Sequence, residues 1–136
     1  MSEQWKPVQF KEISKKCGKV DYAKIIDDER GLRIKLIFEN NLQIEFVFET
    51  SVISYNVCDE GRRLKTLDII LNQYGADFFG ACPVYMVENS NYLKWLHEES
   101  YDIISRYTIY HFVFLTSNEV IDVLATHSPK VSSVNY

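Results

Sequence analysis

Val87-Glu88-Asn89-Ser90-Asn91-Tyr92-Leu93-Lys94-Trp95-Leu96-His97-Glu98-Glu99-Ser100-Tyr101, followed after a break by Ile109-Tyr110-His111-Phe112-Val113-Phe114-Leu115-Thr116-Ser117-Asn118-Glu119-Val120-Ile121-Asp122-Val123-Leu124, settles what kind of chain this is. It opens on the end of a short strand, Val84 to Val87. Asn89 or Ser90 then caps a helix, because a short polar side chain accepts a backbone N–H that the first turn leaves unpaired. Tyr92, Leu93, Trp95, Leu96 and Ile103 form the apolar side of that helix, and Lys94, Glu98 and Glu99 face water. Two strands follow, Tyr107 to Thr116 and Val120 to Ala125, joined by a two-residue turn at Ser117-Asn118. Strand, helix and ribbon share one apolar face, so Trp95 is expected in the core. Tyr101 stays unassigned.

Working outward, the clearest local pattern is Leu32 to Glu49. Leu32, Ile34, Leu36 and Phe38 alternate with Arg33, Lys35 and Glu39, and Leu42, Ile44, Phe46 and Phe48 alternate with Gln43, Glu45 and Glu49. A period of two marks half-buried strands. Residues directly opposite in an antiparallel ladder share a face, so apolar residues must pair with apolar ones. A two-residue turn at Asn40-Asn41 would set Phe38 against Gln43. A three-residue loop, Glu39 to Asn41, sets Phe38 against Leu42 and Leu36 against Ile44, with Asn41 in the left-handed conformation that it tolerates well. The three-residue hairpin is therefore expected.

The remaining segments fill in around these. Trp5, Val8, Phe10 and Ile13 pin a short strand or one helical turn to the body. Gly18 precedes a strand, Val20 to Ile26, and Asp27-Asp28-Glu29-Arg30-Gly31 makes a charged turn. Ser51 to Val57 forms another strand, with Val52, Tyr55 and Val57 as residues for burial. Asp59-Glu60-Gly61 opens a helix whose apolar face is Leu64, Leu67, Ile70, Leu71 and Tyr74; the acidic pair sits at the favourable end of the dipole and Gly75 is the C-cap. A loop with Phe78, Phe79, Gly80 and Pro83 follows. No β-α alternation is present, which argues against a doubly wound parallel sheet. The expectation is one α+β domain over residues 1–136: a mainly antiparallel sheet of hairpin-connected strands with two amphipathic helices. Residues 126–136, with Pro129 and a Ser-rich end, read as a tail open to fraying.

The totals narrow the function classes. The chain has 136 residues, 46% hydrophobic and 14% aromatic, enough for one core and too apolar for disorder. A net charge of −4 disfavours nucleic acid, which needs a concentrated basic face. Gly61-Arg62-Arg63-Leu64-Lys65 is basic but small and has no aromatic platform. Nothing approaches the roughly 20 apolar residues of a membrane span, and the start has no signal-peptide pattern. Cys17, Cys58 and Cys82 are odd in number and widely spaced, which fits small buried residues in a reducing compartment better than disulfides or zinc. The expectation is a cytoplasmic protein with no cofactor and no metal.

Two sets of residues carry functional weight. His111 and Asp122 lie on one face of the ribbon: with the turn at Ser117-Asn118, residue 111 opposes Leu124, and Asp122 is one diagonal away. They are the candidates for a general base oriented by an acid, although a buried pair satisfying itself is the favoured account. No nucleophile-elbow motif accompanies them. His97, Glu98 and Glu99 do not converge on a metal, because adjacent helical residues diverge. The second set is acidic and suits a basic protein partner: Asp27, Asp28 and Glu29, with Glu98, Glu99 and Asp102.

At Glu88 to Leu96, Glu98-Glu99-Ser100, Ile109 to Phe112 and Val120 to Leu124, the chain resembles small Bacillus-type cytoplasmic proteins of unknown role, with a fainter likeness at Tyr55 to Lys65. Some such proteins are encoded beside polymorphic toxins and are taken to be immunity proteins. The likeness covers about the last third of the chain, and its residues pack and cap, so it speaks to fold before activity. It implies a non-enzymatic binding protein that occludes a toxin domain. The alternatives are a small enzyme or ligand-binding domain built on His111 and Asp122, and a homo-oligomeric module pairing through a sheet edge.

Overall fold

The computed structural model describes residues 3–13, 19–59, 61, 63–75 and 82–135. Cys17, Gly18, Glu60, Arg62 and the Phe78-Phe79-Gly80 loop lie outside them. In chain order the elements are β1 (Gln4–Pro7), β2 (Val20–Asp28), β3 (Gly31–Phe38), β4 (Leu42–Val47), β5 (Val52–Asp59), α1 (Leu64–Tyr74), β6 (Val84–Glu88), α2 (Asn91–Glu99), a 3-10 turn (Ile103–Arg106), β7 (Tyr110–Leu115), β8 (Glu119–Ala125) and β9 (Lys130–Asn135). All pairings between these strands are antiparallel. The class is α+β, as the patterns require.

Local pairing follows the side-chain parity. Leu36 lies opposite Ile44 and Ile37 opposite Gln43, so the β3–β4 hairpin has the three-residue loop. Asn41 takes φ 67° and its N–H donates to the Phe38 carbonyl at 3.0 Å. At the β2–β3 turn, Gly31 has φ 101°, and a Cβ there would stand 1.5 Å from the Glu49 carbonyl oxygen. Only glycine fits that crossing.

Where one sheet was expected there are two: five strands in the order β1-β6-β7-β8-β5, and four in the order β2-β3-β4-β9. They face each other across an aromatic seam. Phe46 meets Phe114 edge-on with centroids 5.0 Å apart, and Phe48 meets Phe112 at 5.7 Å. Ile34, Leu36, Ile44, Ile121 and Val123 are fully buried in the same core. Period two shows which side of a strand is apolar, but not whether that side meets a helix or a second sheet.

Several sequence expectations are corrected. The Ser-rich end is a strand: Val131 pairs with Phe46 and Ser133 with Ile44. Its order comes from the ladder with β4, which composition does not reveal. Asp59 belongs to β5 and donates nothing to a helix dipole; its carboxylate accepts the Gly61 N–H at 2.7 Å, and α1 has no acidic residue in its first turn. The helices are more exposed than their patterns suggest. Ile70 is the buried residue of α1, and Trp95 of α2 is 51% exposed. Tyr55 and Val57, expected inside, are 37% and 38% exposed, because β5 is an edge strand. Trp5, by contrast, is buried against Tyr85.

Candidate functional site

The β7–β8 ribbon places His111 opposite Leu124 and Val113 opposite Asp122. His111 and Asp122 thus share a face, the one turned away from the Phe112 and Phe114 side that meets the second sheet. The diagonal closes to a hydrogen bond of 2.8 Å between His111 Nε2 and Asp122 Oδ1. Two further residues join them from distant segments. Ser90, just before α2, puts Oγ 2.7 Å from His111 Nδ1 while accepting the Leu93 N–H at 3.0 Å. Arg63, just before α1, puts Nη1 2.5 Å from the second oxygen of Asp122. Tyr92 stands edge-on to the imidazole and bonds the Ser54 hydroxyl.

Electrostatics explains why this cluster is tolerated. Ser90, His111 and Asp122 are 6%, 4% and 2% exposed. Burial pushes the Asp122 carboxyl up, and that is the largest single influence; the hydrogen bond and charge of His111, together with Arg63, outweigh it and hold the carboxyl below its ordinary range. The carboxylate accepts only, so His111 Nε2 donates to it, and the Ser90 hydroxyl completes the hydrogen bonding of the ring at Nδ1. The order serine, histidine, carboxylate is that of a catalytic triad, but the ring nitrogens are exchanged: in the triad the serine meets Nε2 and the acid Nδ1. Here the serine is also already engaged as a helix cap and is covered. What the cluster does chemically in this state is join the starts of both helices to the sheet.

The sequence pointed to His111 and Asp122, and the structure unites them. It brings in Ser90, foreseen only as a cap, and Arg63, seen only within a basic patch. The Arg63–Asp122 pair spans 59 residues, so no local spacing could have found it. His97, on α2, reaches Asp102 at 3.4 Å, away from this cluster's chemistry.

The acidic candidates divide between elements. Glu98, Glu99 and Asp102 are exposed at and beyond the end of α2, with Asp102 at φ 61°. Asp27, Asp28 and Glu29 lie at the β2–β3 turn, where they line a cavity of about 440 Å³ together with Glu49, Leu32 and Tyr55. Glu49 was not foreseen as part of this group; it arrives because the segment after β4 crosses under Gly31. Asp28 accepts the Arg30 N–H at 2.9 Å and pairs with Arg33 at 2.8 Å, and Glu49 pairs with Lys130 at 2.6 Å. The Arg30 hydrogen bond, ahead of the Arg33 charge, holds the Asp28 carboxyl below its ordinary range. Asp27 accepts the Tyr55 hydroxyl at 3.1 Å, which pushes that phenol up. Among the described residues, no lysine or arginine lines the cavity.

No family model matches the chain, and no curated protein or solved structure matches it.

Proposed function

We propose that this chain is a non-enzymatic binding protein that takes a basic protein partner at the β2–β3 turn, in the manner of an immunity protein occluding a toxin. One observation carries the reading: four carboxylates, from Asp27, Asp28, Glu29 and Glu49, converge on a single cavity that, among the described residues, has no basic side chain in its lining. Such a concentration attracts a cationic surface and speeds encounter. The acidic end of α2 supplies a second negative surface for the same class of partner. No helix among the described residues is long and apolar enough to cross a membrane, which suits a cytoplasmic protein.

The test is to purify any toxin domain encoded beside this gene and measure association with wild type and with Asp27→Asn/Glu29→Gln. The expected result is protection of cells by co-expression, and an on-rate that falls about tenfold in the double variant and with rising salt. Absence of protection, or an on-rate indifferent to both charge and salt, would overturn the reading. The enzymatic alternative has its own observation, the Ser90–His111–Asp122 connectivity. It requires Ser90 Oγ to be reachable, so labelling of Ser90 by a serine-directed fluorophosphonate would favour it over binding.

A further inference from the structure

The two sheets do not close evenly. Along β7 and β8 the core is sealed, with Ile121 and Val123 fully buried. One strand further out, on the same face, Tyr55 lies opposite Val123 and Val57 opposite Ile121, yet both keep more than a third of their surface exposed. Ile53 beside them is equally exposed. The strand that stands over them is β2, the outer strand of the other sheet, as the Tyr55–Asp27 hydrogen bond shows. β5 pairs with β8 on one side and, among the described residues, with no strand on the other. The result is an eight-residue edge with an apolar strip beside it and a carboxylate-lined cavity at its start.

We propose that β5 is a strand-addition site: an extended segment of a basic partner, apolar at every second residue and ending in lysine or arginine, pairs antiparallel with this free edge. Its apolar side chains lie on the side of Ile53, Tyr55 and Val57, and its basic end, which runs past the start of β5, meets Asp27, Glu29 and Glu49. Main-chain hydrogen bonds to an exposed edge provide affinity, and alternate side chains provide selectivity. Charge favours a basic segment over a second copy of this chain as the occupant, because the edge begins beside four carboxylates and the chain carries a net charge of −4. The proposal rests on the reading that the acidic cavity binds a basic protein, and adds how the partner's backbone is held.

The probe is a peptide with a strand portion as long as β5, of alternating valine and threonine, followed by a C-terminal pair of lysines, and the same peptide N-methylated at every second amide of the strand portion. Binding is followed by fluorescence anisotropy, and amide hydrogen exchange is read residue by residue across β5. The expected result is binding that weakens with salt, slowed exchange within Ile53–Val57, and at least a tenfold weakening by N-methylation, since several main-chain hydrogen bonds are removed. Tyr55→Lys, at a half-exposed edge position, also weakens binding about tenfold while circular dichroism stays unchanged. Equal binding of both peptides with no slowed exchange in β5 overturns strand addition; if Asp27→Asn/Glu29→Gln still weakens both, the acidic cavity remains the binding place. Binding indifferent to those two residues, or absent altogether, overturns strand addition and the cavity's role together. A mass doubled in light scattering without peptide, with β5 protected, assigns the edge to self-association and overturns the proposal.

Discussion

Asp122 joins His111 and Arg63 on the outer face of the five-stranded sheet. It is 2% exposed, and its two oxygens receive His111 Nε2 at 2.8 Å and Arg63 Nη1 at 2.5 Å. Asp122→Ala strands both donors, and breaking a buried charged set in this way costs about 3–5 kcal/mol. Asp122→Asn is milder. The amide oxygen still accepts from Arg63, its NH₂ donates to His111 Nε2, and the imidazole turns over its tautomer so that Nδ1–H donates to Ser90. No hydrogen bond is lost outright, but both lose the carboxylate's charge, a cost of about 1–2 kcal/mol.

Urea denaturation followed by circular dichroism separates the two variants, because m for small domains is about 1–3 kcal/mol/M and the Ala variant moves the midpoint by roughly 1–5 M. Acid adds a second readout. The folded carboxyl titrates below its unfolded value of 3.8, so folding favours the ionised form. That stability is fully present above the unfolded pKa and is lost as pH falls through the folded one. The gap between wild type and Asp122→Asn is therefore widest near neutrality and narrows below about pH 4. An Ala variant within about 1 kcal/mol of wild type, or a gap that stays flat into acid, would refute the view that this carboxylate ties the helix starts to the sheet.

Two other expectations concern the architecture. Gly31→Ala combines a positive φ with a Cβ placed inside the Glu49 backbone, and should cost at least about 2–3 kcal/mol in thermal or urea unfolding; a neutral result would mean that the two crossing segments are not held as described. Phe114→Ala, at the centre of the intersheet seam, should cost about 3–5 kcal/mol, whereas Trp95→Ala, half exposed, should cost less than about 1 kcal/mol. The reverse order, measured by the same denaturation, would place the core on α2.

How much was legible beforehand depends on the range of the interaction that decides each feature. Neighbouring strands must match apolar faces, so the opposition of Leu36 with Ile44 and of His111 with Leu124 could be read directly from residue parity. Ser90 as a cap was legible for the same reason: its partner, the Leu93 N–H, is three residues away. Tyr55 and Trp95 misled, because an apolar side chain records a preference for burial and not its address. Their exposure follows from β5 being an edge and from α2 lying outside the core, and neither is a property of the residues themselves.

By itself, then, the sequence determined most of the strands, the β3–β4 and β7–β8 hairpins, the approximate place of both helices and the shared face of His111 and Asp122, since each rests on contacts between residues close in the chain or related by a simple repeat. Only the tertiary structure decided the division into two sheets, the recruitment of residues 130–135 as β9, the arrival of Arg63 at Asp122, and the meeting of Glu49 with the β2–β3 turn. These join segments far apart in the chain. Their pairing is chosen by the packing of the whole core, and nothing in the local pattern of either segment encodes the other.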